Sequence, residues 1–212
     1  MPNSENLKSY STEDLILELR SRTLINEDGL VAPEVYTLLT SLGARPCVDG
    51  VALRRNEAGE LEGSVIRRKS GKFPGKLALV GGNIALKESI EHALRRHYRT
   101  DLGVEIEFPI GWDQCAYLAQ YAPKQDGANL PAFSEDPTKH SVASTHIVRI
   151  TSDLNSLVFG KTTYGGQEAM GLEWYTLKDV PPEGDWSYNM RDLFIKVLTK
   201  AQKQVAQGEL AM

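Results

Sequence analysis

Residues 81 to 104 read GGNIALKESIEHALRRHYRTDLGV, a Gly-Gly pair followed by an amphipathic run that closes on Leu-Gly-Val. A Gly-Gly pair ahead of a helix lets backbone N–H groups approach an anion at the positive end of the helix dipole. Immediately upstream lie Arg67, Arg68, Lys69, Lys72 and Lys76, in a chain whose net charge is −4. A local basic cluster in a protein of net negative charge points to an anionic ligand; the alternative is an edge strand guarded by charge. Farther along, His97, Thr100 and Asp101 are spaced i, i+3, i+4 and share one helical face. Asp101 falls in the last turn, where a carboxylate opposes the helix dipole unless a cation compensates it, and that favours a metal role.

Positioning these groups requires a strand before the glycines and a helix after them. FPGKLALVGG is a mostly apolar strand ending in the Gly pair, and ESIEHALRRHYRT carries the helical period. Upstream, PCVDGVALRR and EGSVIRRK are β-branched runs separated by NEAGEL, which predicts two antiparallel strands. Downstream come VEIEFPIGWDQCAYLAQY as one long or broken strand, the polar excursion APKQDGANLPAFSEDPTKH, the strands HSVASTHIVRIT and LEWYTL, and a C-terminal helix in WSYNMRDLFIKVLTKAQKQ. Trp112, Tyr117, Trp174 and Trp186 are expected mostly in the core. This order predicts an α/β fold, an α/β/α sandwich around a mixed β-sheet. A doubly wound parallel sheet is excluded, because the βαβ alternation is missing.

Residues 1–43 read differently. STEDLILELRSR and APEVYTLLTSLG each carry an apolar stripe, with Pro33 suited to a first helical turn and Gly43 to a stop. The chain therefore divides into a helical N-terminal extension, 1–43, and a domain, 44–212. Two apolar stripes on the extension predict a homodimer.

The overall charge gives no general attraction to nucleic acid or to an anionic membrane, and no window approaches the length of a membrane span. Cys47 and Cys115 lie in apolar, strand-like contexts. The start MPNSENLKSY has no basic-then-apolar signal pattern. A reduced, unbridged, cytoplasmic protein is expected.

Gly82, five residues, Glu88, seven residues, Arg96, then Asp101, Gly103 and Val104 have the spacing of the Nudix box, and the chain resembles the Nudix hydrolase family. The three metal-binding glutamates of the box map to His97, Thr100 and Asp101, of which only the last is a carboxylate. One branch that is similar in keeping only that acid is the GDP-mannose mannosyl hydrolases. It is also similar in Asp49 within CVDGVAL, Arg68 after SVIR, the pair Thr145-His146, the strand LEWYT, and Asn189-Met190-Arg191 ahead of the last helix.

The resemblance implies a Nudix-like sandwich and a Mg²⁺ ion, or Mn²⁺, held by Asp101 and a carbonyl of the Gly81-Gly82 corner. Glu168 matches a second metal contact, and His97 is a further candidate ligand. On the substrate side, Arg68 would face the diphosphate and Asp49 the sugar or leaving group, with Gly81, Gly82, Asn189 and Arg191 around them. Arg96 would orient a neighbouring glutamate; its alternative is a solvated helix arginine. The branch has a histidine base where this chain has Ala169, which leaves Glu168, His146 and His97 as candidate bases. Two functions follow as expectations. One is a Mg²⁺-dependent hydrolase of a nucleoside diphosphate derivative, a nucleotide sugar such as GDP-mannose. The other is a non-catalytic Nudix domain that binds a nucleotide or metabolite, with the extension as its interaction surface.

Overall fold

The computed structural model describes residues 44–70, 73–85, 87–122, 134–135, 140–159, 169–188 and 190–211. The extension 1–43, most of the polar excursion, Glu168 and Asn189 lie outside the described residues. All described residues belong to one unit, Ala44–Met212.

The sheet is built on β1 (Arg45–Arg55), whose residues Val48 to Leu53 are all buried. A continuous buried run suits a strand covered on both faces. β1 pairs antiparallel with β2 (Leu61–Arg68) only at its far end, Leu53 to Arg55. Its near end, Cys47 to Gly50, pairs antiparallel with β4 (Val80–Asn83). β3 (Leu77–Ala78) pairs with β2 at Ile66 and Arg67. FPGKLALVGG is thus two short strands rather than one, because β1 and β2 diverge and the β3–β4 segment fills the gap between them. The expected long strand after the helix is likewise broken, into β5 (Ile106–Glu107) and β6 (Tyr117–Ala122). β7 (Ser134–Glu135) pairs with β6, β8 (Ser141–Ile150) runs parallel to β1, and β9 (Ala169–Tyr175) pairs antiparallel with β2. The nine strands form a mixed sheet of order β3-β2-β1-β8-β6-β7, with β4, β5 and β9 attached to β1, β8 and β2.

Two helices among the described residues cover it. α1 (Ile90–Leu102) is capped by Ser89, whose Oγ accepts from the His92 N–H at 3.2 Å, and ends at Gly103 in the left-handed conformation (φ +69°). α2 (Met190–Ala206) buries Met190, Leu193, Phe194, Val197, Leu198 and Ala201, the i, i+3, i+4, i+7 pattern of one apolar face. A Cβ added at Gly50 of β1 would meet Tyr98 and Leu94 of α1, the nearest atom at 2.8 Å. One added at Gly63 of β2 would meet Phe194 of α2 at 2.8 Å and Val51 of β1 at 3.0 Å. Gly50 and Val51 are neighbours on one strand and present opposite faces, so α1 and α2 lie on opposite sides of the sheet. Of the four aromatics expected in the core, Trp186 is buried, Tyr117 and Trp174 are half-buried, and Trp112 is exposed.

Candidate active site

The glycines set the geometry between strand and helix. The sequence places Gly81 and Gly82 at a corner that launches the helix; instead both lie within β4, opposite Asp49 and Val48 of β1, and α1 starts only at Ile90. Their role is close approach rather than a helix-end turn. A Cβ on Gly81 would sit 2.1 Å from the Val48 carbonyl oxygen and 2.6 Å from Asp49 Oδ1. A Cβ on Gly82 would sit 2.9 Å from His97 Cε1, so His97 packs directly over this glycine.

Glu88 and Arg96 tie the start of α1 to β4. The Arg96 guanidinium donates from Nε and Nη2 to the two Glu88 oxygens, both at 2.8 Å, and from Nη2 to the Asn83 carbonyl at 2.9 Å. Glu88 also accepts from the Ala85 N–H at 2.9 Å. Partial burial works to raise the Glu88 pKa, but the Arg96 and Ala85 hydrogen bonds and the nearby charges outweigh it and hold the carboxyl below its usual range. A bidentate arginine–carboxylate pair fixes orientation as well as distance. The Arg96 guanidinium therefore fixes the orientation of the Glu88 carboxylate.

His97 and Asp101 lie one turn apart on the same face. His97 Nε2 donates to the Asn83 carbonyl at 3.1 Å, which leaves Nδ1 as the bare nitrogen, 4.0 Å from Asp101 Oδ2. Burial first, then the positive charge of Arg96, depress the His97 pKa to about 4, against weaker opposing effects of the Asn83 bond and Glu88. The ring is neutral near pH 7. Asp101 is 4% exposed and occupies a place in the buried stripe of α1 beside Leu94, Tyr98 and Leu102, where an apolar residue would be ordinary.

On the α2 side of the sheet, Cys47 and Asp49 of β1 and Ser141 and Ala143 of β8 face the same way by strand alternation. With Tyr121, Tyr188 and the Gly81–Asn83 stretch they line an open cleft of about 150 Å³. Tyr188 has φ +53°, a rare conformation for a bulky residue and one that clusters at functional sites.

The sheet architecture resembles that of solved structures. A protein from Jonesia denitrificans, described as a possible asymmetric diadenosine tetraphosphate hydrolase, matches with a TM-score of 0.61 at 23% identity, over 76% of this chain and 96% of that one. The NUDIX domain of Shewanella oneidensis NrtR, solved with ADP ribose, matches at 0.52 and 16% identity over 97% and 99% of the two chains. The fold is the Nudix fold. A Caenorhabditis elegans Ap4A hydrolase matches at 0.52 and 13% identity, over 77% and 99%. No family model and no curated protein matches the sequence.

Within this Nudix fold the residues singled out by sequence do not all converge. Gly82, Glu88, Arg96, His97 and Asp101 gather at the α1–β4 junction, and Asp49, Gly81 and Gly82 meet at the cleft. Arg68 sits at a bulge between β2 and β9 and is half-buried. Its neighbours in the basic cluster serve the framework: Arg67 grips Glu173 through two hydrogen bonds and Lys76 donates to the Gly184 carbonyl. Arg191 donates to the Pro181 carbonyl at 2.8 Å, bracing the approach to α2. His146 is on the α1 side of the sheet, 2% exposed, with Nε2 3.0 Å from Ser144 Oγ and its ring edge-on to Phe108; burial lowers its pKa. Strand alternation puts it opposite in sense to Asp49.

Among the described residues, no group of three or more His, Cys, Asp or Glu is arranged to hold a metal. The donor set at the junction is one carboxylate and one imidazole nitrogen whose other N–H is fixed by a carbonyl, a usual supporting arrangement for a ligating histidine. That pair fits a single divalent ion completed by substrate oxygens and water. Sequence reasoning missed Tyr121, Ser141 and Tyr188. Tyr121 and Ser141 reach the cleft through the β1–β8 and β6–β8 registers and Tyr188 from the approach to α2, which no local pattern reveals.

Proposed function

We propose that this chain is a divalent-metal-dependent hydrolase of nucleoside diphosphate derivatives, with a nucleotide sugar of the GDP-mannose kind as the favoured substrate. The observation that carries the reading is the Glu88–Arg96–Asn83 brace that ties α1 to β4, on a helix whose buried face carries the Asp101 carboxylate, with a cleft on the other side of the sheet. A bound Mg²⁺ or Mn²⁺ would supply Lewis-acid neutralisation of the diphosphate. Asp101 would hold it through oxygen, with His97 Nδ1 beside it and a carbonyl of Gly81 or Gly82 in reach of the same junction. Arg68 would bind the diphosphate, and Asp49 would contact the group at the cleft end. Glu168 would take the proton of the attacking water, as the carboxylate that follows the fold's metal face in sequence. His97 is a poor base at a pKa of about 4.

A specific observation favours a second reading. His97 fills the space over Gly82 with an imidazole bound to Asn83, where the box carries a metal-binding glutamate. A chain so altered could bind a nucleotide or metabolite without turning it over.

The test is a panel containing ADP-ribose, diadenosine tetraphosphate and GDP-mannose, each with Mg²⁺ or Mn²⁺, with ³¹P NMR of the products. Hydrolysis of at least one compound, lost in Glu168→Gln, supports the enzyme. Saturable binding with no product in either metal supports the binding domain. The position of the new phosphorus signals also identifies whether phosphorus or carbon is attacked.

A further inference from the structure

The cleft, the Arg96 brace and the His97 ring meet at one residue. β4 reads VGGN, so beyond Val80 the only side chain on this strand is that of Asn83. Its carbonyl accepts from two groups of α1, Arg96 Nη2 at 2.9 Å and His97 Nε2 at 3.1 Å. Its side chain lines the cleft, where Oδ1 accepts from the Cys47 thiol at 3.4 Å. Cys47 and Asn83 stand directly opposite each other as the end pair of the β1–β4 register.

That end pair bears on the ring of His97. Nδ1 lies 4.0 Å from Asp101 Oδ2, beyond hydrogen-bonding distance, so the carboxylate does not fix the imidazole. The ring is seated on Gly82 and turned by its bond to the Asn83 carbonyl. A carbonyl only accepts, so Nε2 carries the proton and Nδ1 keeps its lone pair on the Asp101 side. The two glycines ahead of Asn83 leave the strand end with little restraint of its own, since neither has a side chain to pack. The contact with Cys47 supplies that restraint as a cross-strand pair on one face. A thiol is a weak donor, so losing the contact shifts the strand end and leaves the fold standing.

We infer that Asn83 is a positioning residue for the His97–Asp101 pair, and that the Cys47 thiol steadies it from the cleft side. The inference rests on the reading of that pair as a divalent-metal site. Asn83→Ala and Cys47→Ala both leave every candidate ligand atom in the chain, the Asn83 carbonyl included. A change in metal binding in either variant is therefore positional.

The experiment is Mn²⁺ titration of the full chain followed by EPR, with electron spin-echo envelope modulation from a coordinated imidazole nitrogen as the second readout. It compares wild type with Asn83→Ala, Cys47→Ala, the double variant, Cys47→Ser and Asp101→Asn. Asn83→Ala and Cys47→Ala should each weaken Mn²⁺ binding by about two- to fivefold, the range of one cross-strand contact, and should reduce the nitrogen modulation. The double variant should bind no more weakly than the more affected single one, because both substitutions remove the same contact. Cys47→Ser keeps a donor and should match wild type. Unchanged affinity and modulation in both alanine variants, additive losses in the double variant, or a Cys47→Ser protein as weak as Cys47→Ala would overturn the role of Asn83. With Mn²⁺ binding still dependent on Asp101, those outcomes leave the metal reading intact. Mn²⁺ binding that Asp101→Asn does not weaken, or none in wild type, removes the metal reading and the positioning role with it.

Discussion

At His97 an imidazole stands where a site made wholly of oxygen donors would carry a carboxylate. Two consequences follow at the scale of the residue. Because the fold holds this ring neutral and pulls its pKa to about 4, the unfolded chain binds a proton that the folded chain refuses between roughly pH 6.5 and 4. Stability supplied by the neutral ring is therefore fully present above about pH 6.5 and declines as pH falls through that window, at no more than about 1.4 kcal/mol per pH unit. Urea denaturation of the chelator-treated protein should show this slope, and His97→Gln should flatten it. The second consequence concerns the metal. A nitrogen–oxygen pair suits Mn²⁺ better than the oxygen-seeking Mg²⁺, so His97→Glu should shift the preference from Mn²⁺ toward Mg²⁺ in competitive binding followed by Mn²⁺ EPR. The sequence made the box positions legible, because Gly82, Glu88 and Arg96 are fixed by spacing along one helix and its approach. It did not reveal that His97 would be tied to Asn83, since that bond depends on how β4 lies against α1.

At the scale of the element, the docking of α1 depends on glycines that tolerate no side chain. Gly103 ends the helix with a left-handed turn, its N–H donating to the Arg99 carbonyl at 3.0 Å, and an added Cβ would lie 3.1 Å from Val158. Gly103→Ala should cost about 1–2 kcal/mol in denaturant unfolding. Gly81→Ala should be far worse, because its Cβ would collide with the rigid Val48 backbone and displace β4 from β1. Soluble yield and the near-UV circular dichroism spectrum would report it. The strands β1, β2, β8 and β9 and both helices were legible from period and turn chemistry. The split of FPGKLALVGG into β3 and β4 was not, because it arises from the divergence of β1 and β2, a property of pairing between distant segments. The same holds for the cleft, whose walls come from β1, β4, β6, β8 and the approach to α2.

At the scale of the whole molecule, the two parts of the proposed site lie on opposite sides of one sheet: the His97–Asp101 pair on α1 and a cleft on the α2 side, with the Gly81–Asn83 stretch between them. No helix among the described residues is long and apolar enough to cross a membrane. The apolar stripes read in residues 1–43 carry the proposal of a homodimer, which deletion of those residues should convert to a monomer in sedimentation velocity. The claim that joins the two sides is that Asp101 holds a divalent ion against a substrate diphosphate. Turnover of the best substrate in the nucleoside diphosphate panel, followed by ³¹P NMR with Mg²⁺ or Mn²⁺ in wild type and in Asp101→Asn, tests it most directly. The account predicts metal-dependent product formation that falls at least about tenfold in the variant, roughly 1.4 kcal/mol or more of lost transition-state stabilisation. Undiminished turnover in Asp101→Asn, or turnover that persists in excess chelator, would contradict it.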